Sequence, residues 1–542
     1  MIAGVFGRSR TSLFFVPFLA LSLVMTTRVA AQAAPEARAP AAAPEDAAQE
    51  PAASALPASV PAVTAPSEVT APAAGPALAP VEPVPAVPAL EEPRARLDYS
   101  DGVFYLRSKD DNLVFVPGLR MHADTYTFQG PGVASYQRAN GTGLKTNLFF
   151  RRFILEFGGM IRKKWFYWLG GNFAPTQIDG NQAPLSNANV YDGFAGYLPT
   201  PTQRIYFGQY NAPFTMENVT SSRWLDMMER ALTVRTVAAP YNKTDGLMWW
   251  GNTESKSFEY QLGVFGGDGM NRPNIDNRFD GMGRAVVRPL TSREDALARF
   301  HVGASARYGS RDPKFVRYSA PSLSTPGGYS FWSSTYGKGD QETWIMPSAR
   351  QYAVAGEVYL PFERFDVRGE VVYVNEGRRE ALASNKDETL RSGTFKGVGG
   401  YLQFSAWLLG TPRISGNPAG LYGVTKLPDS LGTQAKHALQ FVLRGEVLRM
   451  HYDSDSRSGV SHGALDAQTS NIYVNVYQGC LNYWATKHLR LTAEYSLYQF
   501  PGTPITNMAG GDNQAVSPGA RAGSAPNSHS LNEFSFRVGV VL

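Results

Sequence analysis

The sequence predicts an all-β protein: a transmembrane antiparallel β-barrel of about 16 strands, preceded by a signal peptide and a disordered Ala/Pro-rich leader. Three observations predict it. Apolar and polar residues alternate in one segment after another from about residue 113 to the end. The connections between those segments alternate between short and long. A spanning helix needs about 20 apolar residues, and the chain contains no such run, whereas barrel strands cross with only half their residues apolar.

The N-terminus reads as an export signal over residues 1–31. Arg8 and Arg10 form a positive start, Leu13 to Met25 an apolar stretch too short to span, and Val29-Ala30-Ala31 or Ala31-Gln32-Ala33 a small-x-small cleavage pattern. Residues 32–93 are dominated by Ala, Pro, Val and Glu and hold no aromatic residue. Such a leader cannot bury enough apolar surface to offset its ordering entropy, so disorder or a polyproline-like form is expected. At about 3.1 Å per residue it would reach on the order of 100 Å or more, enough to cross much of a periplasm and touch the cell wall. The barrel domain is expected over 94–542.

The chain carries 51 Lys and Arg against 46 Asp and Glu. The first 92 residues hold four basic and eight acidic side chains, which leaves a net of +9 in residues 93–542. Those cations are scattered singly through alternating segments, with no basic helix of the kind that binds nucleic acid. A basic lumen is the better expectation. Cys480 is the sole cysteine, which excludes an intrachain disulfide and reads as a small apolar strand residue.

The alternation sorts residues onto two faces. Leu489, Leu491, Ala493, Tyr495 and Leu497 oppose His488, Arg490, Thr492, Glu494 and Ser496. Phe300, Val302, Ala304, Ala306 and Tyr308 oppose His301, Gly303, Ser305 and Arg307. Phe365, Val367, Gly369, Val371 and Tyr373 oppose Asp366, Arg368 and Glu370. Leu439, Phe441, Leu443 and Val447 oppose Gln440, Arg444 and Glu446, and Phe258, Tyr260, Leu262 and Val264 oppose Glu259 and Gln261. A soluble sandwich alternates too, but runs of about 9–15 residues ending in aromatics, as at 165–168, 249–250 and 498–500, suit a bilayer with interfacial girdles. Short turns are expected at 162–164, 252–256, 361–363 and 485–487. Eight long loops are expected, among them 129–146, 212–243, 309–350, 375–395, 453–469 and 501–530. Counting from Leu113 gives roughly sixteen strands with both ends at the short-turn side, and Val103 to Leu106 preceding the barrel. The connection near 410–437 is too long for a periplasmic turn. The last strand turns Phe534, Phe536, Val538, Val540 and Leu542 outward.

Chemical motifs are sparse. There is no His-Glu-x-x-His, no Gly-x-Ser-x-Gly elbow and no phosphate-cradling Gly-rich loop; no catalytic residue, cofactor or metal ligand is assigned. Asp453-Ser454-Asp455 begins like a calcium loop but lacks the Gly and Glu that complete one. Asp268, Asp276 and Asp280 read as a polar turn, with weak calcium binding as the alternative. His301 and Ser305 share a face and carry the hydrolase alternative; a surface anchor or adhesin is the other.

From about Arg151 to Leu290, near Gly399 and from Ile472 to Phe500, the chain resembles the phosphate-selective porin O and P family. The stretches that carry the resemblance are 191–197 (YDGFAGY), 207–214 (FGQYNAPF), Glu217, 220–222 (TSS), 228–230 (MER), 264–269 (VFGGDG) and Gly399 to Leu409. The resemblance implies a homotrimeric 16-stranded porin in the bacterial outer membrane. Such a porin meets outer-membrane lipids and passes small anions such as phosphate passively; a general, weakly selective porin is the alternative. Where family members often carry Lys after the Gly-Gln-aromatic triplet, this chain has Asn211. The third long loop, 212–243, is expected to fold into the lumen, bringing Arg223, Arg230, Arg235 and Lys243 against Glu217, Asp226 and Glu229. The opposed expectation is that Arg230 and Glu229 merely brace the loop. Arg284, Arg307, Arg368, Arg444 and Arg490 are expected to line the anion path from the wall, partly cancelled by Glu370, Glu446 and Glu494.

Overall fold

The computed structural model describes residues 95–100, 103–140, 143–174, 188–238, 242–337, 339–410, 412–413, 424–425, 437–454, 469–486, 488–501, 505 and 528–542. The signal peptide, the leader and most of the 410–437 connection lie outside them, as does the segment following Asp453-Ser454.

Sixteen strands close into one antiparallel ring. They are β1 (Leu113–Gln129), β2 (Asn147–Ile161), β3 (Trp165–Asn172), β4 (Asn189–Thr200), β5 (Gln203–Asn211), β6 (Lys243–Asn252), β7 (Phe258–Phe265) and β8 (Asp280–Val287). Then follow β9 (His301–Arg311), β10 (Thr343–Pro361), β11 (Phe365–Leu382), β12 (Arg391–Leu409), β13 (Ala438–Ser454), β14 (Thr469–Trp484), β15 (Leu489–Gln499) and β16 (Ser530–Val541). Each pairs with the next, and β16 pairs with β1 from Asn532↔Gln129 to Val541↔Arg120. Closure continues past the last strand, where Leu542 N–H donates to Leu119 O at 2.8 Å. A closed ring leaves no edge, so backbone groups are paired within the wall, as a bilayer requires. Before the ring, Ala95–Ser100 and Val103–Ser108 form a hairpin that meets β1 at Leu106↔Phe115.

The two faces separate as alternation predicts. On β15, Arg490, Thr492, Glu494 and Ser496 are buried while Ala493 and Tyr495 are exposed; on β16, Phe534 and Phe536 are exposed, as is Leu542 just beyond it. The outward set is apolar and the inward set largely polar, the arrangement of a lipid-facing wall around a lumen.

Three expectations are corrected. Strands β10, β11 and β12 reach 19, 18 and 19 residues, so the loop expected at 375–395 shrinks to 383–390. The paired aromatics are not all girdle residues: Trp165 and Trp249 are exposed outward, but Trp168, Trp250 and Tyr498 alternate to the inside. The inward wall is also not wet throughout. Toward the long-loop end it turns apolar, through Val372 and Val374 of β11, Phe395 of β12, Leu448, Met450 and Tyr452 of β13, and Ile472, Val474 and Val476 of β14.

The fifth long loop, 312–342, explains this apolar patch. Its hairpin, Leu323–Ser324 with Ser330–Trp332, inserts Phe331 and Trp332 into that cluster. The Trp332 ring lies 5.3 Å from Phe395 and 6.0 Å from Tyr452. The hairpin tip crosses to the far side of the ring. There Thr325 Oγ1 and Gly327 N–H donate to Glu533 of β16 at 2.8 and 3.0 Å, and Asn147 of β2 donates to Gly327 O at 3.0 Å.

Candidate pore constriction

The segment after β5 enters the barrel. Nearly every described residue from Ala212 to Ala238 is buried, which a loop on an outer surface would not be. Entry is set at Thr215, whose φ of +64° is unusual for a β-branched residue. It is held by its N–H on Ser305 Oγ at 3.1 Å and by its own Oγ1, which accepts Asn218 N–H at 3.3 Å. A short helix, Met216–Val219, follows.

From there the loop is fastened to the lumen wall strand by strand. Glu217 N–H donates to Glu370 of β11 at 2.6 Å, and the Glu217 carboxylate pairs with Arg444 of β13 at 3.2 Å. Asp226 pairs with Arg368 at 2.7 Å and accepts from Gln403 of β12 and Gln440 of β13 at 3.0 and 2.9 Å. Met228 N–H donates to Glu494 of β15 at 2.9 Å, and Leu232 N–H to Glu446 at 2.5 Å. Backbone amides of the loop thus meet wall carboxyl groups at three points. The wall glutamates expected to offset the cations are therefore partly spent on positioning this loop.

The candidate cations fall into different situations. Arg223 lies half-buried on Glu156 of β2 at 2.5 Å. Arg230 is buried, its guanidinium donating to the carbonyls of Glu217, Asn218 and Thr220 at 3.0, 3.4 and 2.7 Å. Its contacts are those of a brace within the loop. Arg235 donates to Ser324 O in the fifth loop. Lys243 donates to Asp192 and, at 2.6 Å, to Asn211 Oδ1, its register partner on β5. Thus the position where Asn211 stands for a lysine has an ammonium group beside it from the neighbouring strand. Arg284 pairs with Glu357 at 2.5 Å and Arg307 with Glu376. Arg368 also pairs with Asp366, Arg444 with Glu446 at 3.0 Å, and Arg490 donates to Leu225 O at 2.7 Å.

Four cations outside the candidate set stand at the same level. Glu229 takes Arg152 at 2.8 Å, Arg537 at 2.9 Å and Arg151 at 3.2 Å. Arg120 joins Arg223 on Glu156 at 3.0 Å, and Arg537 also grips Asp124 at 2.6 Å. Five guanidinium groups thus share three carboxylates where the loop meets β16, β1 and β2. Arg120, Arg152 and Arg537 lie on inward faces that alternation alone marks, whereas Arg151 is the extra residue of a bulge on β2, where the partner of His122 is Arg152 and that of Ala123 is Phe150.

The other candidates resolve locally. Arg311 lies between Asp280, at 2.7 Å, and Asp268, at 3.5 Å, while Asp276 accepts from Asp312 N–H at 2.7 Å. A guanidinium therefore stands where a calcium ion would have to sit. Burial pushes the Asp268 carboxyl above the usual range, against a hydrogen bond from Tyr318 and the charge of Arg311. His301 lies 3.4 Å from Glu357, but the Ser305 oxygen is engaged by the loop amide of Thr215.

Residues 116–328 match the family model described as phosphate-selective porin O and P. Over 129 residues the chain is 26% identical to Porin O of Pseudomonas aeruginosa, covering 24% of this chain and 27% of that protein. The chain therefore aligns with about a quarter of that relative's length. Among solved structures, outer-membrane expressed OmpT of Vibrio cholerae aligns with a TM-score of 0.43 at 10% identity, over 80% of this chain and 99% of its own. The anion-selective porin from Comamonas acidovorans aligns at 0.40 and 9% identity, over 79% and 100%.

Proposed function

We propose that this chain, which belongs to the phosphate-selective porin O and P family, gives small anions a passive route past a cationic constriction. The protein is a porin of the bacterial outer membrane; its preference among solutes is what is proposed. One observation carries the reading: the sharing of Asp124, Glu156 and Glu229 by Arg120, Arg151, Arg152, Arg223 and Arg537. Guanidinium groups outnumber the carboxylates they share there by two. Arginines at a narrow passage offer an anion charge in place of its lost hydration, and low-dielectric walls extend their field.

The opposite wall carries Glu259, Glu357, Glu370 and Glu446, buried and inward, which favours modest selectivity. Phosphate as the preferred anion, a homotrimer, lipid contacts on the apolar outer face and a cleaved signal before a spacer leader belong to the same proposal. Its test is the reversal potential across a potassium chloride gradient in planar bilayers, followed by competition with phosphate. Anion preference is expected, and a cation-selective wild type would overturn the reading. Chloride current unaffected by phosphate would remove phosphate from it and leave the general anion porin.

A further inference from the structure

The inward loop leans on one part of the wall. Most of its ties run from β9 through β16 to β2, whereas the inward wall from β3 to β6 is rich in aromatic residues. Register fixes where these side chains point, since partners across an antiparallel pair share a face. Trp250 pairs with Gln261 and Gln261 with the lumen residue Arg284. Tyr206 pairs with Met248 on the same face, and Gly196 with both Tyr206 and Phe166. The rings form a continuous strip. Centroids are 4.9 Å apart for Phe166 and Tyr206, 5.6 Å for Phe194 and Tyr206, 5.8 Å for Phe194 and Tyr210, and 5.7 Å for Tyr206 and Trp250.

Four further observations point to a ligand. Phe166, Trp168, Phe194 and Tyr206 are only half-buried although they face inward, while Arg284, Arg368, Arg444 and Arg490 are buried. The strip is therefore where the lumen wall meets open space. Its rings lie down on the wall: a methyl group added at Gly158 or Gly196 would collide with the Trp168 or Phe166 ring. Cations bound both ends, with the Arg204 guanidinium 4.9 Å from the Trp250 ring centre and Arg223 6.0 Å from that of Trp168. Tyr210 Oη and Trp250 Nε1 are buried without a hydrogen-bond partner among the described residues. Leaving such groups unpaired costs stability unless something else meets them.

We infer that this strip is a binding track for anions that carry a flat ring, of which benzoate is the simplest. An inorganic anion gains nothing from an apolar ring face. A ring-bearing carboxylate would stack on the strip, losing apolar surface from water, and set its charge on Arg204 or Arg223. The inference rests on the anion-channel reading, and its test is separable from it.

Chloride current through single wild-type channels is recorded while benzoate, acetate or benzyl alcohol is added. Benzoate is expected to interrupt the current at concentrations about tenfold below the other two, the scale of one well-placed ring contact. In a Tyr206→Leu plus Trp250→Leu variant the half-blocking benzoate concentration should rise about tenfold, measured against that variant's own unblocked current. Equal block by benzoate and acetate, or by benzoate and benzyl alcohol, would overturn the inference while leaving an anion-selective reversal potential intact. So would a double variant that still shifts on heating in gels and keeps the wild-type half-blocking value. If the variant does not assemble, the wild-type comparison alone decides.

Discussion

Glu229, on the loop inside the barrel, faces Arg152 of β2 through two parallel hydrogen bonds of 2.8 and 3.0 Å. Bidentate carboxylate–guanidinium pairs fix direction as well as charge, and here Arg537 and Arg151 share the same carboxylate. Glu229→Gln should strip the loop of this anchor and leave three guanidinium groups without it. Removing one partner of a buried pair costs about 3–5 kcal/mol. The expected result is a lower temperature of the gel-mobility shift, noisier single-channel current and stronger anion preference. A melting profile like that of the wild type would show that the loop is held by its other ties.

Arg223 and Arg230 should part company. Arg223 is half-buried and shares its carboxylate with Arg120, so Arg223→Ala should lower anion selectivity with little loss of stability. Arg230 holds three loop carbonyls. Arg230→Ala should destabilise by about 1–3 kcal/mol through the unpaired acceptors. Reversal potentials and thermal shifts on both variants check the division.

The fifth loop supplies a third expectation. Glu533 accepts from Thr325 and Gly327 at the loop tip. Glu533→Ala should release the tip, at about 1–3 kcal/mol for the donors left unpaired. Higher conductance and faster proteolysis within 312–342 are the readouts; unchanged values for both would mean that the apolar seat alone holds the loop.

Gly196→Ala offers a steric test. The added methyl meets the Phe166 ring and the Ile205 carbonyl, and overpacking of this kind costs about 1–3 kcal/mol. The ring has space to swing toward the lumen, so conductance should fall. Gly281→Ala, whose Cβ would meet only Tyr308 O at ordinary contact, serves as the control.

Much of the ring was legible in the sequence, because strand alternation and turn spacing are local. Leu113 as the start of β1 and the count of sixteen follow from them. What was lost depends on contacts across the ring. Arg537 and Asp124 stand 413 positions apart, and only closure of β16 on β1 joins them. At Trp249-Trp250 two adjacent aromatics look alike in sequence, yet the pleat sends one to lipid and the other to the lumen. On β14, Ile472, Val474 and Val476 alternate with Tyr473 and Tyr477, so both faces read as lipid-facing. The inward one is apolar because the hairpin of another loop covers it, a fact no local pattern contains. The candidate arginines were recognisable by their polar faces, but their partners were not, which is why the brace at Arg230 and the surplus around Glu229 appear only in the fold.

The fifth loop also bears on mechanics. It leaves the ring between β9 and β10 and is tied at its tip to β16 and β2, almost a full diameter away. A hydrogen-bonded cylinder resists stretching along its circumference but can flatten into an oval at small cost. A tie rod across the opening removes that freedom: any flattening must either stretch the rod or slacken it. The cross-section at the mouth and the seating of the hairpin are therefore one mechanical variable, and lateral pressure that bends the wall would load the contacts of Glu533 with the loop tip.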